Sequence, residues 1–223
     1  MTTGPAVRVG GKAVSLARAE RWVDTYFDGP ANRTADKPFA YPAYDELCTG
    51  SGPDQLNDGD LLAPTMLNAA PTIAAFYSLQ AARPRLEQGL RAVPGGLSLQ
   101  ASAADGSLRE RLGNLAGVLD GKGLRGVRLT MLSKVLHRKR PSFVPLYDQF
   151  VRACYVGERG RFPIQVDRAR SWAGFAGELG EWVARDLADQ DDVWRHLAAR
   201  VAGEVTTLRV LDVVAWNLGR PDA

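Results

Sequence analysis

Glycines at 121, 123 and 126 separate two runs of apolar residues spaced at helical intervals. Little can be built across such a break except two helices joined by a short turn. Before it, Ser107 to Leu119 places Leu108, Leu112, Leu115 and Leu119 on one face. After it, Val127 to Arg140 places Leu129, Leu132 and Leu136 on one face, reinforced by Met131 and Val135. Pro141 closes the second run, and basic residues crowd its last turn, where they suit the negative end of a helix dipole. Ser142 to Leu146 reads as extended and apolar, and Asp148 stands where a side chain would cap a helix over Gln149 to Val156.

Most of the remaining chain repeats the helical pattern. It covers Ala13 to Phe27, a short helix capped by Asp58 or Asp60 and running through Leu67, and a helix from Thr72 that Pro84 bends or divides. It returns in Asp167 to Leu187, Asp191 to Ala202 and Thr206 to Leu218, where Trp172, Trp182, Trp194 and Trp216 read as core. Ala31 to Pro42 and Ser51 to Asp58 read as loops, with a helical turn over Tyr41 to Leu47. Val7 to Val9 and Ser98 to Ala101 are too short to change the class, and no β-ribbon is expected. The expectation is an all-α fold in a single domain over residues 1–223, divided into two lobes around a cleft. One lobe spans about 60–150, with a hairpin at 121–140; the N-terminal and C-terminal helices form the other.

Composition narrows the function. Hydrophobic residues make up 45% of the chain and charged residues 24%, an ordinary globular balance. No stretch approaches the ~20 apolar residues of a membrane span, and residues 1–11 lack the layout of a signal peptide. A cytoplasmic protein with no membrane partner is expected, and a monomer. Cys48 and Cys154 are far apart, and His137 and His196 are the two histidines, so neither a disulfide framework nor a metal site is expected, and no cofactor is implied.

Charge is informative in its distribution. Residues 121–160 hold nine basic and two acidic side chains, a local +7, against a net +3 for the chain. A basic segment on a mildly acidic body is the footprint of a phosphate-binding surface, although a solvated helix face is the plainer alternative. Within it, Leu124, Arg125, Gly126, Val127 and Arg128 form the turn, whose N–H groups at a helix start can meet phosphate. Lys134, Arg138, Lys139 and Arg140 follow as candidate phosphate contacts, and His137 reads as a solvent or phosphate contact.

This segment resembles the helix-hairpin-helix DNA glycosylase superfamily, which includes adenine and thymine-glycol glycosylases. That family carries Leu-Pro-Gly-Val-Gly, then a helix, then an extended apolar stretch ending in a catalytic aspartate. Placing Leu124 on the hairpin leucine aligns Gly126 and Val127 with its Gly-Val, and the ungapped register brings Asp148 onto the catalytic aspartate. Residues 207–219 are similar to the closing helix of several such enzymes. The chain is also similar to members of an uncharacterised bacterial family with a Lys-Arg-Pro…Pro…Tyr-Asp pattern, here Lys139 to Pro141 and Pro145 to Asp148. The departures are Arg125 for the hairpin proline, Arg128 for its second glycine, and no four-cysteine cluster. Thr130 stands where bifunctional relatives carry a Schiff-base lysine.

The resemblance implies a monofunctional DNA glycosylase that flips a damaged or modified base out of double-stranded DNA. Asp148 would stabilise the sugar cation or activate a water. Phe143, Tyr147, Phe150 and Tyr44 are candidate walls of the base pocket. Two other readings stand beside it: a non-catalytic helix-hairpin-helix DNA-binding protein, and an all-α partner-binding module. A pocket with aromatic rings beside Asp148 favours the enzyme over the binder; hairpin N–H groups buried against protein favour the module.

Overall fold

The two valines Val7 and Val9 alternate with exposed Ala6 and Arg8, and that period of two places both on one buried face. In the computed structural model, which describes residues 5–221, Ala6–Val9 (β1) and Lys12–Ser15 (β2) pair as an antiparallel hairpin. This corrects the expectation of no β-ribbon, and it delays the first helix, α1, to Leu16–Tyr26. Arg8 N donates to Gln190 Oε1 at 2.8 Å and Gly10 N to Asp186 Oδ2 at 2.7 Å, so a few local residues form a ribbon by leaning on a distant helix. Helices nevertheless dominate: eleven occur among the described residues, with one further pair of two-residue parallel strands, β3 (Val156–Gly157) and β4 (Ile164–Gln165).

Side-chain caps set the helix starts. Asp28 caps α2 (Gly29–Thr34), Thr72 caps α4 (Ile73–Arg91), and Ser98 caps α5 (Leu99–Ala104). Asn57, rather than Asp58 or Asp60, caps α3 (Asp58–Leu62), in a capping box with Asp60. Pro84 lies inside α4 without ending it. α6 (Leu108–Ala116) tightens into a 3-10 turn over Gly117–Asp120, and the glycine-rich segment leads into α7 (Leu129–His137). Asp148 caps α8 (Gln149–Tyr155), Ser171 caps α9 (Trp172–Asp189), α10 follows at Asp191–Ala199, and Thr206 caps α11 (Thr207–Gly219).

α6 packs along α9, while α11 packs against α8, α1 and α10. α11 is enclosed on most sides: Leu208, Val210, Leu211, Val213, Val214 and Ala215 are all buried. Its end presses on the start of α8, where a Cβ on Gly219 would lie 2.1 Å from the Phe150 carbonyl oxygen. That close approach fixes the helix capped by Asp148 against α11. Trp194 is fully buried, as expected, whereas Trp172 is 37% exposed. No described helix is long and apolar enough to cross a membrane.

Candidate functional site

The basic cluster runs from the end of α7 into the residues just after it, and its geometry reassigns Arg138, Lys139 and Arg140. Arg140 is 2% exposed; its guanidinium donates to the carbonyls of Val93, Leu90 and Pro53 and pairs with Asp54. Lys139 Nζ donates to Ser51 Oγ at 2.6 Å and lies 3.2 Å from Asp60 Oδ1. Arg138 donates to the carbonyls of Tyr44 and Leu47. These three cations hold the 44–60 segment against the end of α7, so the expectation that they contact phosphate is corrected. The physical reason is that long stems folded inward, and carbonyls and two distant acids satisfied their charges. Burial would raise the Asp60 carboxyl, but Ser51, Asn57, Thr49 and Lys139 together hold it below its ordinary value. His137 is also buried rather than a solvent or phosphate contact. Its Nδ1 lies 2.7 Å from Val144 O, and burial, with Arg209 nearby, pushes its pKa down to about 4.

The turn itself is open. Lys122, Arg125, Gly126 and Arg128 are exposed, while Val127 is buried and Leu124 half-buried. Gly126 has φ 75°, a left-handed conformation that glycine adopts without cost, and faces Thr72 and Ala75 at the start of α4. Arg125 N donates to Ser78 Oγ at 3.0 Å. The backbone N–H groups of Leu129 and Thr130 have no acceptor among the described residues.

A cavity of about 370 Å³ opens between the 37–43 loop, the 66–68 turn, α7, residues 146–148 and α11. Asp148, Asp212 and Lys134 line it, with the rings of Tyr26, Phe39, Tyr147 and Trp216. Asp148 Oδ1 accepts from Phe150 N at 2.8 Å and Val151 N at 2.9 Å. Its second oxygen has no partner among the described residues. The cap therefore orients the carboxylate and leaves one oxygen for a ligand. Asp212 Oδ2 lies 2.5 Å from an Arg209 nitrogen. Burial raises the Asp212 carboxyl to about 6 against the pull of Arg209, and the Asp148 charge adds to the rise while Lys134 opposes it. Lys134 Nζ donates to Leu67 O at 2.8 Å; burial lowers its pKa, and Asp148 and Asp212 resist that.

Of the expected pocket residues, Tyr147 lines the cavity with Asp148. Phe150 stands behind it, edge-on to Trp216 at 6.1 Å. Tyr44 does not line it: the ring is buried, and its hydroxyl donates to Lys134 O at 2.6 Å. Phe143 is fully buried in the core. Both are corrections: core side chains enclose Phe143, while Arg138, Arg209 and His137 lie against the Tyr44 ring and close it off from the cavity. Asp212, Tyr26, Phe39 and Trp216 enter the site from distant parts of the chain and were not expected there. The sequence signal for Asp212 was its pairing with Arg209, opposite charges three residues apart in a mostly apolar helix; nothing local in the sequence marked Tyr26 or Phe39.

Fold and site together define a mostly helical protein with an aromatic cavity that presents two carboxylates and an amine. The chain belongs to a family of unknown function, DUF6308, which matches residues 19–219. No curated protein and no solved structure matches it.

Proposed function

We propose that the protein hydrolyses N-glycosidic bonds in DNA, as a monofunctional helix-hairpin-helix glycosylase acting on a damaged or modified base. The observation that carries this reading is the cavity in which the unpartnered oxygen of Asp148 shares a wall with aromatic rings. A volume of about 370 Å³ is in the range of small-molecule sites, and an extruded base is held by stacking on such rings. Departure of the base leaves positive charge on the sugar. The Asp148 carboxylate stabilises that charge or takes a proton from the attacking water. Asp212, with its pKa near 6, supplies a proton to the departing base. The α6–turn–α7 layout, with exposed Lys122, Arg125 and Arg128 and two free helix-start N–H groups, supports a hairpin grip on the phosphate backbone. Hairpin and Asp148 are then the two walls of one DNA groove, and the two lobes are the bodies on either side of it.

The test is incubation with duplexes that each carry one lesion or modified base, followed by alkali. One of them should break at the modified position, and Asp148→Asn should slow that by at least about a hundredfold while the variant stays folded. If no duplex breaks with the wild-type protein, the enzymatic reading is wrong. Salt-sensitive DNA binding would then leave the non-catalytic binder.

A further inference from the structure

Tyr147 is a wall shared by two cavities. On its other side lies a second cleft, of about 470 Å³, bordered by Arg152 of α8, by Arg168 and Arg170 of the segment after β4, and by Trp172 and Phe175 of α9. The rings form a stepped series: Tyr147 and Phe175 meet edge-on at 5.3 Å, and Phe175 and Trp172 at 6.2 Å. Arg170 pairs with Glu178 at 3.0 Å. Arg152 and Arg168 are exposed and have no ion-pair partner among the described residues. Asp167 is the one acid of the lining, and its carboxylate already accepts from Ala169 N at 2.8 Å. The N-terminus of α9 contributes little attraction, since Asp120 accepts from Trp172 N and Ala173 N, and Ser171 from Gly174 N.

Unpaired guanidiniums beside the exposed Trp172 ring, backed by half-buried Phe175 and buried Tyr147, suit a ligand that alternates anionic and flat groups, which is the chemistry of a single-stranded nucleic acid. We propose that this cleft holds the strand adjoining the base bound beside Asp148. The backbone crosses Tyr147, Arg152 and Arg168 hold the next phosphates, and Trp172 stacks a neighbouring base. The inference rests on the base-pocket reading and sharpens it by assigning the path that the strand takes away from the bound base. It also accounts for the exposure of Trp172 at 37%, which a core tryptophan would not show.

The test uses a fluorescein-labelled ten-nucleotide oligothymidylate and reads anisotropy over a salt series. Two reversals are compared: Arg152→Glu with Arg168→Glu, and Arg21→Glu with Arg91→Glu. The second pair lies on exposed parts of α1 and α4, lines neither cavity, and changes net charge equally. The cleft pair should weaken binding at least about tenfold and reduce the slope of log K against log salt by about 1.4, for two lost phosphate contacts. Trp172→Ala should also weaken binding with the slope unchanged. The control pair should do neither. Equal effects of the two reversals would overturn the strand path, and base excision that persists in the cleft variants would leave the Asp148 reading standing. Absence of oligonucleotide binding by the wild-type protein overturns the inference; excision from lesion duplexes then decides the base-pocket reading separately.

Discussion

Arg209 lies 2.5 Å from Asp212 and at the same time forks onto both oxygens of Asp45, at 2.7 and 3.0 Å. Its side chain is 3% exposed, and it also donates to the Tyr26 hydroxyl at 2.8 Å. One guanidinium thus ties the 41–47 turn, α1 and α11 together directly behind the cavity. Arg209→Met leaves two carboxylates with little exposure and without their direct ion-pair partner, so it should cost about 3–5 kcal/mol of unfolding free energy. Arg209→Lys should recover only part, because an ammonium cannot reproduce the fork on Asp45 while reaching Asp212 and Tyr26. Urea denaturation of the two variants measures this; a loss below about 1 kcal/mol for Met would refute the structural role.

His137 and Asp212 should oppose each other in the pH dependence of stability. His137 falls from 6.5 to about 4, so the unfolded chain takes up a proton first, and stability drops as pH falls from 6.5 to 4. Asp212 rises from 3.8 to about 6, so the folded chain holds the proton, and its contribution is complete below 3.8 and lost as pH rises to about 6. Each is worth about 3 kcal/mol, with opposite sign in nearly one window. Asp212→Asn should expose the histidine slope and make the protein markedly less stable at pH 4 than at pH 7. Denaturation midpoints of wild type and variant across that range give the comparison, and parallel curves would contradict it.

The cations on either side of α7 divide into struts and free charges, and mutation should separate them. Lys139→Met leaves Asp60, which is fully buried, without its nearest cation, at 3.2 Å. It should cost stability, about 1–3 kcal/mol, with no change in the salt slope of DNA binding. Arg125→Glu with Arg128→Glu, both exposed, should do the reverse: leave the midpoint nearly fixed and flatten the slope. A flattened slope in Lys139→Met would return that residue to the proposed DNA surface.

What the sequence made legible was local. The capping role of Asp148, the glycine turn before α7 and the helix starts at Thr72 and Thr206 depend on neighbours within four residues, and the structure has them in place. The direction of Arg138, Lys139 and Arg140 was not legible, because their partners, Tyr44, Leu47, Asp54 and Asp60, lie some 80 to 95 residues upstream. A charge count treats a buried strut and a phosphate contact alike. The β1–β2 ribbon escaped for the same reason, since its support comes from Asp186 and Gln190. Part of the cavity wall was hidden in α11, where Asp212 and Trp216, four residues apart, form a half-buried stripe on a helix mostly enclosed by core.

That stripe makes a kinetic prediction. Asp212 faces Arg209, Lys134 and the Asp148 charge, and it holds its proton up to a pH of about 6, while the free oxygen of Asp148 faces the same cavity. Two carboxylates in unlike surroundings divide acid and base work between them. If Asp212 protonates the departing base, the single-turnover excision rate should fall about tenfold per pH unit above pH 6. Asp212→Asn cannot deliver that proton. It should be slower at pH 5 by about two orders of magnitude and lose the alkaline limb, so that its rate converges with wild type near pH 8. A purely structural Asp212 gives another pattern: the variant would be destabilised, yet its folded fraction would keep the wild-type profile. Rates measured on a lesion duplex with enzyme in excess, corrected for the folded fraction at each pH, distinguish the two. An unchanged alkaline limb in Asp212→Asn would remove the residue from the chemistry.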